Sequence, residues 1–386
     1  MTFVTVVTRG RNPFTTSCGM PPPFFAGRQE ETTKFDSSLQ STIGKAPRNL
    51  AFVGDFGIGK TVLLLEFSKR AQLEECASIY FPCRRFEDQL SYYNSLLQAI
   101  RSSLSLPMRE KFQHAIAEVG FQVLGSGVNL KLREAPPDSI WGLVSLLEGA
   151  STVSEKPLVL FVDDFHLLTS SDFDSTDPLR QAFTVLVGVK HLPVMMVIAS
   201  DAKVFGKIDN AHEPIARFLE PAILNGLSEA DVRNAVNNPL VPYNYSFADD
   251  AIRRVYELSE GRPYYVQLCA YYSFERTRSR IIESQTVEEA VRDVLKVLAI
   301  ERYVRMYEGC SETEHAVLRL LAGGALPHGQ TVRICNTLGF KASATKMAIK
   351  RLLEDKRHLS KTSNGKYHVR EKLFAEYIMT RATGED

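Results

Sequence analysis

Apolar positions fall into two arrangements along this chain. Asn49–Val53, Ala77–Pro82, Pro157–Val162 and Val194–Ala199 are short runs that are apolar almost throughout. Such runs, without polar alternation, predict strands buried on both faces. Between them, Val62–Phe67, Phe86 to Leu106, residues 108–118, Ser139–Glu148 and Ala182–Val187 carry helical spacing. Phe24 to Gln40 predicts a strand-like entry and then a helix. Residues 1–23, with Thr, Ser, Pro and Gly and little periodicity, predict a flexible lead-in. Phe121–Leu132 alternates on either side of Gly125-Ser126-Gly127 and predicts a hairpin. Strands separated by helices predict an α/β core with a parallel sheet between helices.

From Ser228 the spacing becomes helical throughout. Helices near 228–237, 247–259, 263–279 and 286–307 predict an all-α unit. Ser228 with Asp231, and Thr286 with Glu289, have the spacing of N-terminal caps. Ser311 to Glu314 opens a further helix with Ala316, Val317, Leu320 and Leu321 on one face. A second helix runs from Gln330 to Leu338, and a third from Ser343 through Lys356. The third divides into an apolar face of Ala344, Met347, Ala348, Leu352 and Leu353 and a polar one of Thr345, Lys346, Lys350 and Arg351. Leu359–Val369 predicts a hairpin around Asn364-Gly365. Three helices and a hairpin follow the winged-helix plan. The predicted organisation is therefore a lead-in at 1–23, a core at 24–225, a helical lid at 226–307 and a winged-helix domain at 308–386.

The first apolar run leads into Gly54-Asp55-Phe56-Gly57-Ile58-Gly59-Lys60-Thr61, and Val62 continues into the next helix. This matches G-x-x-x-x-G-K-[ST] in the strand–loop–helix setting that makes a phosphate site. The glycines let backbone N–H groups turn around an anion, and the helix N-terminus adds partial positive charge. Lys60 is expected to reach the β- and γ-phosphates of ATP, with the Thr61 hydroxyl on Mg²⁺. The third run, Leu158–Val162, ends in Asp163-Asp164. Asp163 is expected to hold the metal and Asp164 to orient or deprotonate the attacking water. The fourth run ends at Ser200-Asp201, where Ser200 either touches the γ-phosphate or lytic water or caps the strand.

Charge alters the picture mainly at the C-terminal end. The formal net charge is only +1 over 386 residues, but residues 331–381 hold twelve Lys/Arg against four Asp/Glu. A basic end on an acidic body suggests an anionic partner. The third helix would enter a major groove of duplex DNA, with Lys361 and Lys366 of the hairpin on phosphate. His358 and His368 read as surface residues. The six cysteines are scattered without a C-x-x-C pair, which predicts reduced thiols in a cytoplasmic protein. No apolar run approaches the roughly 18–20 residues of a membrane span.

Four segments together resemble the AAA+/STAND group of P-loop ATPases, and most closely archaeal-type ATPases related to origin-recognition initiators. They are Phe24-Phe25-Ala26-Gly27-Arg28-Gln29-Glu30-Glu31, Gly54–Thr61, Leu158–Asp164 and Ser259-Glu260-Gly261-Arg262-Pro263-Tyr264-Tyr265. The resemblance spans about residues 24–380. It implies that Arg28 sits near the nucleotide, that Pro263 packs against adenine, and that Arg262 reaches phosphate. It also implies that Arg217 is an arginine finger serving a neighbouring subunit. Asp164 stands where most AAA+ proteins have glutamate, which leaves the hydrolysis rate open. Two readings follow: an ATP-controlled, oligomeric duplex-DNA binder of initiator or transposition-regulator type, or a STAND-type switch whose winged helix packs on the nucleotide domain and binds protein partners.

Overall fold

The structure, a computed structural model, describes residues 11–124, 130–170, 176–201, 218–323 and 330–383. It divides into two compact units. One comprises Gly27–Asn225 with Cys18–Pro21, and the other Gly226–Asp386 with residues 11–17 and Pro22–Ala26, in each case their described residues.

The first unit is built on a five-stranded parallel sheet. Its strands are β1 (Leu50–Val53), β2 (Ala77–Pro82), β5 (Leu158–Asp163), β6 (Val194–Ser200) and β7 (Glu220–Ile223), in the order β2-β5-β6-β1-β7. The four apolar runs account for four of these strands. β1, β5 and β6 are buried at every position, as a sheet covered on both faces requires. On one face lie α1 (Gln29–Ile43) and α2 (Lys60–Leu73). Phe35 of α1 stacks on Phe67 of α2 with ring centroids 4.3 Å apart, and Phe52 of β1 meets the same ring at 5.2 Å. The opposite face packs α3 (Gln89–Ser103), α4 (Leu106–Glu118), α5 (Ser139–Ser154) and α6 (Thr176–Gly188). Leu96, Leu143, Leu147 and Phe183 there meet alternate strand residues such as Ile79, Leu160, Val162 and Ile198. The expected hairpin pairs β3 (Val123–Leu124) with β4 (Lys131–Leu132), and its turn lies outside the described residues. β4 is tied to α3: Asn94 Oδ1 accepts from Leu132 N–H at 2.7 Å, and Gln98 donates to Leu130 C=O at 2.5 Å.

β7 is the strand that apolar patterning overlooks. It is four residues long, starts on a glutamate and contains Pro221. Glu220 N–H pairs with Asn49 C=O and Leu224 N–H with Val53 C=O, both at 2.8 Å. Proline is tolerated because β7 lies on the sheet edge.

In the second unit, Glu229–Asn237 (α7), Asp249–Ser259 (α8), Pro263–Arg276 (α9) and Ser284–Leu298 (α10) pack together. A two-residue parallel bridge, β8 (Ser246–Phe247) with β9 (Ile281–Ile282), joins them. The Ser228–Asp231 capping box is present. The Thr286–Glu289 box is not: α10 begins two residues earlier, with Glu283 at its N-cap. After a π-turn at Ala299–Tyr303 come α11 (Val304–Glu308), α12 (Glu312–Ala322), opened by the Ser311–Glu314 box, α13 (Thr331–Leu338) and α14 (Ala342–Lys350). The antiparallel pair β10 (Leu359–Lys361) and β11 (Tyr367–Val369) follows, then α15 (Lys372–Thr383).

Glu371, only 4% exposed, binds these elements together. Its Oε2 accepts from Tyr265 Oη at 2.7 Å and from Arg302 Nη1 at 2.9 Å, with Tyr303 Oη at 3.3 Å. A buried carboxylate is tolerable only with such paired donors. His358, expected at the surface, is buried instead. Its Nε2 lies 3.1 Å from Met306 C=O, and burial lowers its pKa.

The lead-in is anchored around Phe14. Phe14, 5% exposed, lies edge-on to Phe247 and Phe274, and Asn12 Nδ2 donates to Tyr271 C=O and Glu275 Oε1. Two aromatic partners and paired amide bonds offset the ordering entropy that would otherwise leave a terminal segment loose. Phe14→Ala is predicted to cost about 3 kcal/mol through the cavity it leaves. Chemical denaturation of the second unit's aromatic signal measures it; an unchanged midpoint would mean that the anchor is dispensable.

Candidate nucleotide site

The strand order decides which residues meet. β6 lies between β5 and β1, and all three run parallel. Their C-terminal ends therefore bring the loop after β1, Asp163-Asp164 and Ser200 to one edge of the sheet, where open α/β folds bind ligands.

The loop Gly54–Thr61 turns through left-handed backbone at Gly57 (φ 74°) and Gly59 (φ 92°), and then enters α2 at Lys60. A Cβ on Gly54 would sit 2.8 Å from Ile58 Cγ2, so a larger residue there would push the loop open. Gly54 N–H donates to Ser200 C=O at 3.2 Å, stitching the loop to β6. Ser200 is fully buried, its hydroxyl 3.5 Å from Asp201 C=O. Lys60 Nζ donates to the carbonyls of Gly54 (2.9 Å) and Asp55 (3.0 Å). Burial lowers the Lys60 pKa, and Asp201, Asp164, Asp163 and Asp55 push it back up.

Arg28 lies against the phosphate loop. It sits in left-handed conformation at the N-cap of α1. Its Nη2 donates to Ile58 C=O at 2.8 Å, and its Nη1 pairs with Glu31 at 3.1 Å. It braces the phosphate loop from behind.

Asp163 ends β5 and is 4% exposed. Its Oδ1 accepts the Asp164 N–H at 3.0 Å, and its Oδ2 accepts the Tyr80 hydroxyl at 2.6 Å. Asp164 follows with φ 52°, its carbonyl held by Leu167 N–H at 2.8 Å. Burial first, and then the charge of Asp163, raise the Asp164 pKa. That makes it a more basic carboxylate than an exposed one.

The geometry fits a nucleoside triphosphate with Mg²⁺. The loop turns through left-handed glycines at Gly57 and Gly59, a lysine lies at the start of the following helix, and Thr61 and Asp163 offer the hard oxygens that Mg²⁺ prefers. A side chain on Gly19 would touch Thr61 Cγ2 at 3.6 Å, so residues 18–21 of the lead-in run beside the same loop. Neither Tyr80 nor this segment stood out in the sequence.

Other predicted residues belong to the second unit or fall outside the described residues. Arg262 and Pro263 belong to the second unit, at the N-cap and first turn of α9. Gly261 there has φ 69°, and a Cβ on it would fall 2.2 Å from Leu227 C=O, which explains the glycine of the turn. Arg262 is 7% exposed and lies 3.8 Å from Glu371 Oε1. Arg217 lies outside the described residues.

On α14 the structure corrects one residue. Thr345 is fully buried, its hydroxyl 3.4 Å from Lys341 C=O, and cannot face a groove. The buried stripe is Thr345, Ala348, Ile349 and Leu352, whereas Ala344 and Met347 point outward. Lys346, Lys350, Arg351, Lys361 and Lys366 are all exposed.

Residues 25–197 match the family model described as an AAA ATPase domain. No curated protein matches the chain. Among solved structures, a Walker-type ATPase of Pyrococcus abyssi is similar with a TM-score of 0.61 at 15% identity, covering 92% of this chain and 96% of its own. The ORC2 protein of Aeropyrum pernix, solved in ADPNP-ADP complexes, is similar with a TM-score of 0.59 at 13% identity, covering 95% and 98%. Among the described residues no helix is long and apolar enough to cross a membrane. Family match, strand order and phosphate-loop geometry agree on an AAA-type P-loop ATPase domain over residues 25–197, and the fold is shared with the archaeal ATPase and the ORC2 protein.

Proposed function

We propose that this protein binds and hydrolyses Mg·ATP at the edge formed by β1, β5 and β6, and that its nucleotide state controls oligomerisation and duplex DNA binding. The grouping of Lys60, Asp163 and Asp164 at that edge carries the first part. Lys60 binds the β- and γ-phosphates. Thr61 and Asp163 hold the metal, which screens phosphate charge when bound. Asp164 accepts the proton of the attacking water. Ser200 tethers the loop through its carbonyl, and Arg28 supports the loop through Ile58. Arg217 is the proposed arginine finger and Arg262 a proposed phosphate sensor. The proposed division is a core at 24–225, a lid at 226–307 and a winged-helix domain at 308–386, in a cytoplasmic protein.

The DNA reading rests on the exposed basic groups of α14 and the β10–β11 hairpin: Lys346, Lys350, Arg351, Lys361 and Lys366. Lys346→Glu with Lys350→Glu is predicted to weaken duplex binding by at least about tenfold and to flatten its salt dependence, because two phosphate neutralisations become repulsions. ATP affinity should stay unchanged. DNA affinity that survived the double substitution, read by fluorescence anisotropy, would remove α14 from the interface. The buried bonds from Glu371 to Tyr265 and Arg302 favour a second reading. In it the C-terminal elements serve as a packing module of a STAND-type switch with protein partners.

A further inference from the structure

We propose that Tyr80 is a positioning residue for the metal-binding carboxylate of Asp163. The proposal rests on the nucleotide site proposed above and deepens it. Both oxygens of Asp163 are engaged, Oδ1 by the Asp164 N–H at 3.0 Å and Oδ2 by the Tyr80 hydroxyl at 2.6 Å. One donor would leave the carboxylate plane able to turn about its last bond. Two donors on opposite oxygens fix it. The donors come from rigid elements. Tyr80 lies on β2 opposite Phe161, two residues before Asp163 on the neighbouring strand, within a parallel register unbroken from Ala77 to Pro82. Groups that orient a metal ligand from behind in this way set metal affinity as well as ligand geometry. A carboxylate oxygen has lone pairs enough to accept the phenol and still face a cation.

The bland alternative is that Tyr80 merely packs against the sheet. Tyr80→Phe separates the two, because it keeps the ring and removes only the O–H. The test uses the full chain and a fluorescent ATP analogue, with affinity measured in EDTA and across a Mg²⁺ titration. Mn²⁺ bound to the complex is counted separately by electron paramagnetic resonance. For Tyr80→Phe we expect analogue affinity in EDTA equal to wild type. The Mg²⁺ concentration for half-maximal gain should rise roughly tenfold, with a matching loss of Mn²⁺ affinity. In an Asp163→Asn background the same substitution should change nothing further, since its effect runs through that carboxylate. An unshifted Mg²⁺ midpoint in Tyr80→Phe, or an equal shift in the Asp163→Asn background, would overturn the role of Tyr80 while leaving the nucleotide site intact. Failure of the wild-type protein to bind the analogue at all would overturn the site reading and this proposal with it.

Discussion

Lys60→Ala should weaken ATP binding by at least about a hundredfold, the combined loss of charge-assisted bonds to two phosphates. Lys60 Nζ now rests on two neutral carbonyls, those of Gly54 and Asp55. Exchanging them for anionic phosphate oxygens is a net gain, because charge-assisted bonds are roughly twice as strong as neutral ones. The surroundings enlarge the effect. Asp55, Asp163, Asp164 and Asp201 are all close enough to act on the lysine. Without its ammonium those acids would face the triphosphate with one fewer opposing charge. Backbone geometry at Gly57 and Gly59 should survive, so a melting temperature close to wild type is expected alongside the lost binding. Titration calorimetry with Mg·ATP measures it, and unchanged affinity would place the nucleotide elsewhere.

Asp164→Asn should leave ATP affinity within about threefold of wild type and slow hydrolysis by roughly 10²–10⁴, the usual contribution of a positioned base. The side chain is nearly isosteric, and the left-handed turn at Asp164 tolerates asparagine well. Only the ability to take a proton is lost. Burial and the adjacent Asp163 charge raise the Asp164 pKa, which brings its basicity closer to what a neutral-pH base needs. Phosphate release at saturating ATP, read beside the affinity, separates chemistry from binding. Wild-type turnover in Asp164→Asn would assign the base to another group.

The residues legible in sequence were those whose chemistry is local. A glycine-rich loop between strand and helix, and an apolar strand ending in two acids, announce themselves within a few positions. So do four strands that are apolar throughout. β7 escaped because an edge strand needs only alternate donors and tolerates Pro221. Tyr80 escaped because its partner is 83 residues away, and only the strand order makes β2 and β5 neighbours. Thr345 was read outward because Ala344 and Met347 offered an apolar stripe one position away from the one that is buried. A threonine that bonds back to the preceding turn can be buried without an orphaned hydroxyl. The contact of Arg28 was not legible, since sequence does not reveal that its guanidinium meets Ile58 C=O.

The central claim is that nucleotide state governs duplex DNA binding. Its most direct test is the affinity of the full chain for duplex DNA at two salt concentrations, with Mg·ATP, with Mg·ADP and without nucleotide. The account predicts binding that is tightest with Mg·ATP and falls steeply as salt rises, the signature of counterions released from phosphate. Duplex binding absent in all three states, with ATP still bound, would contradict it and favour the protein-partner switch.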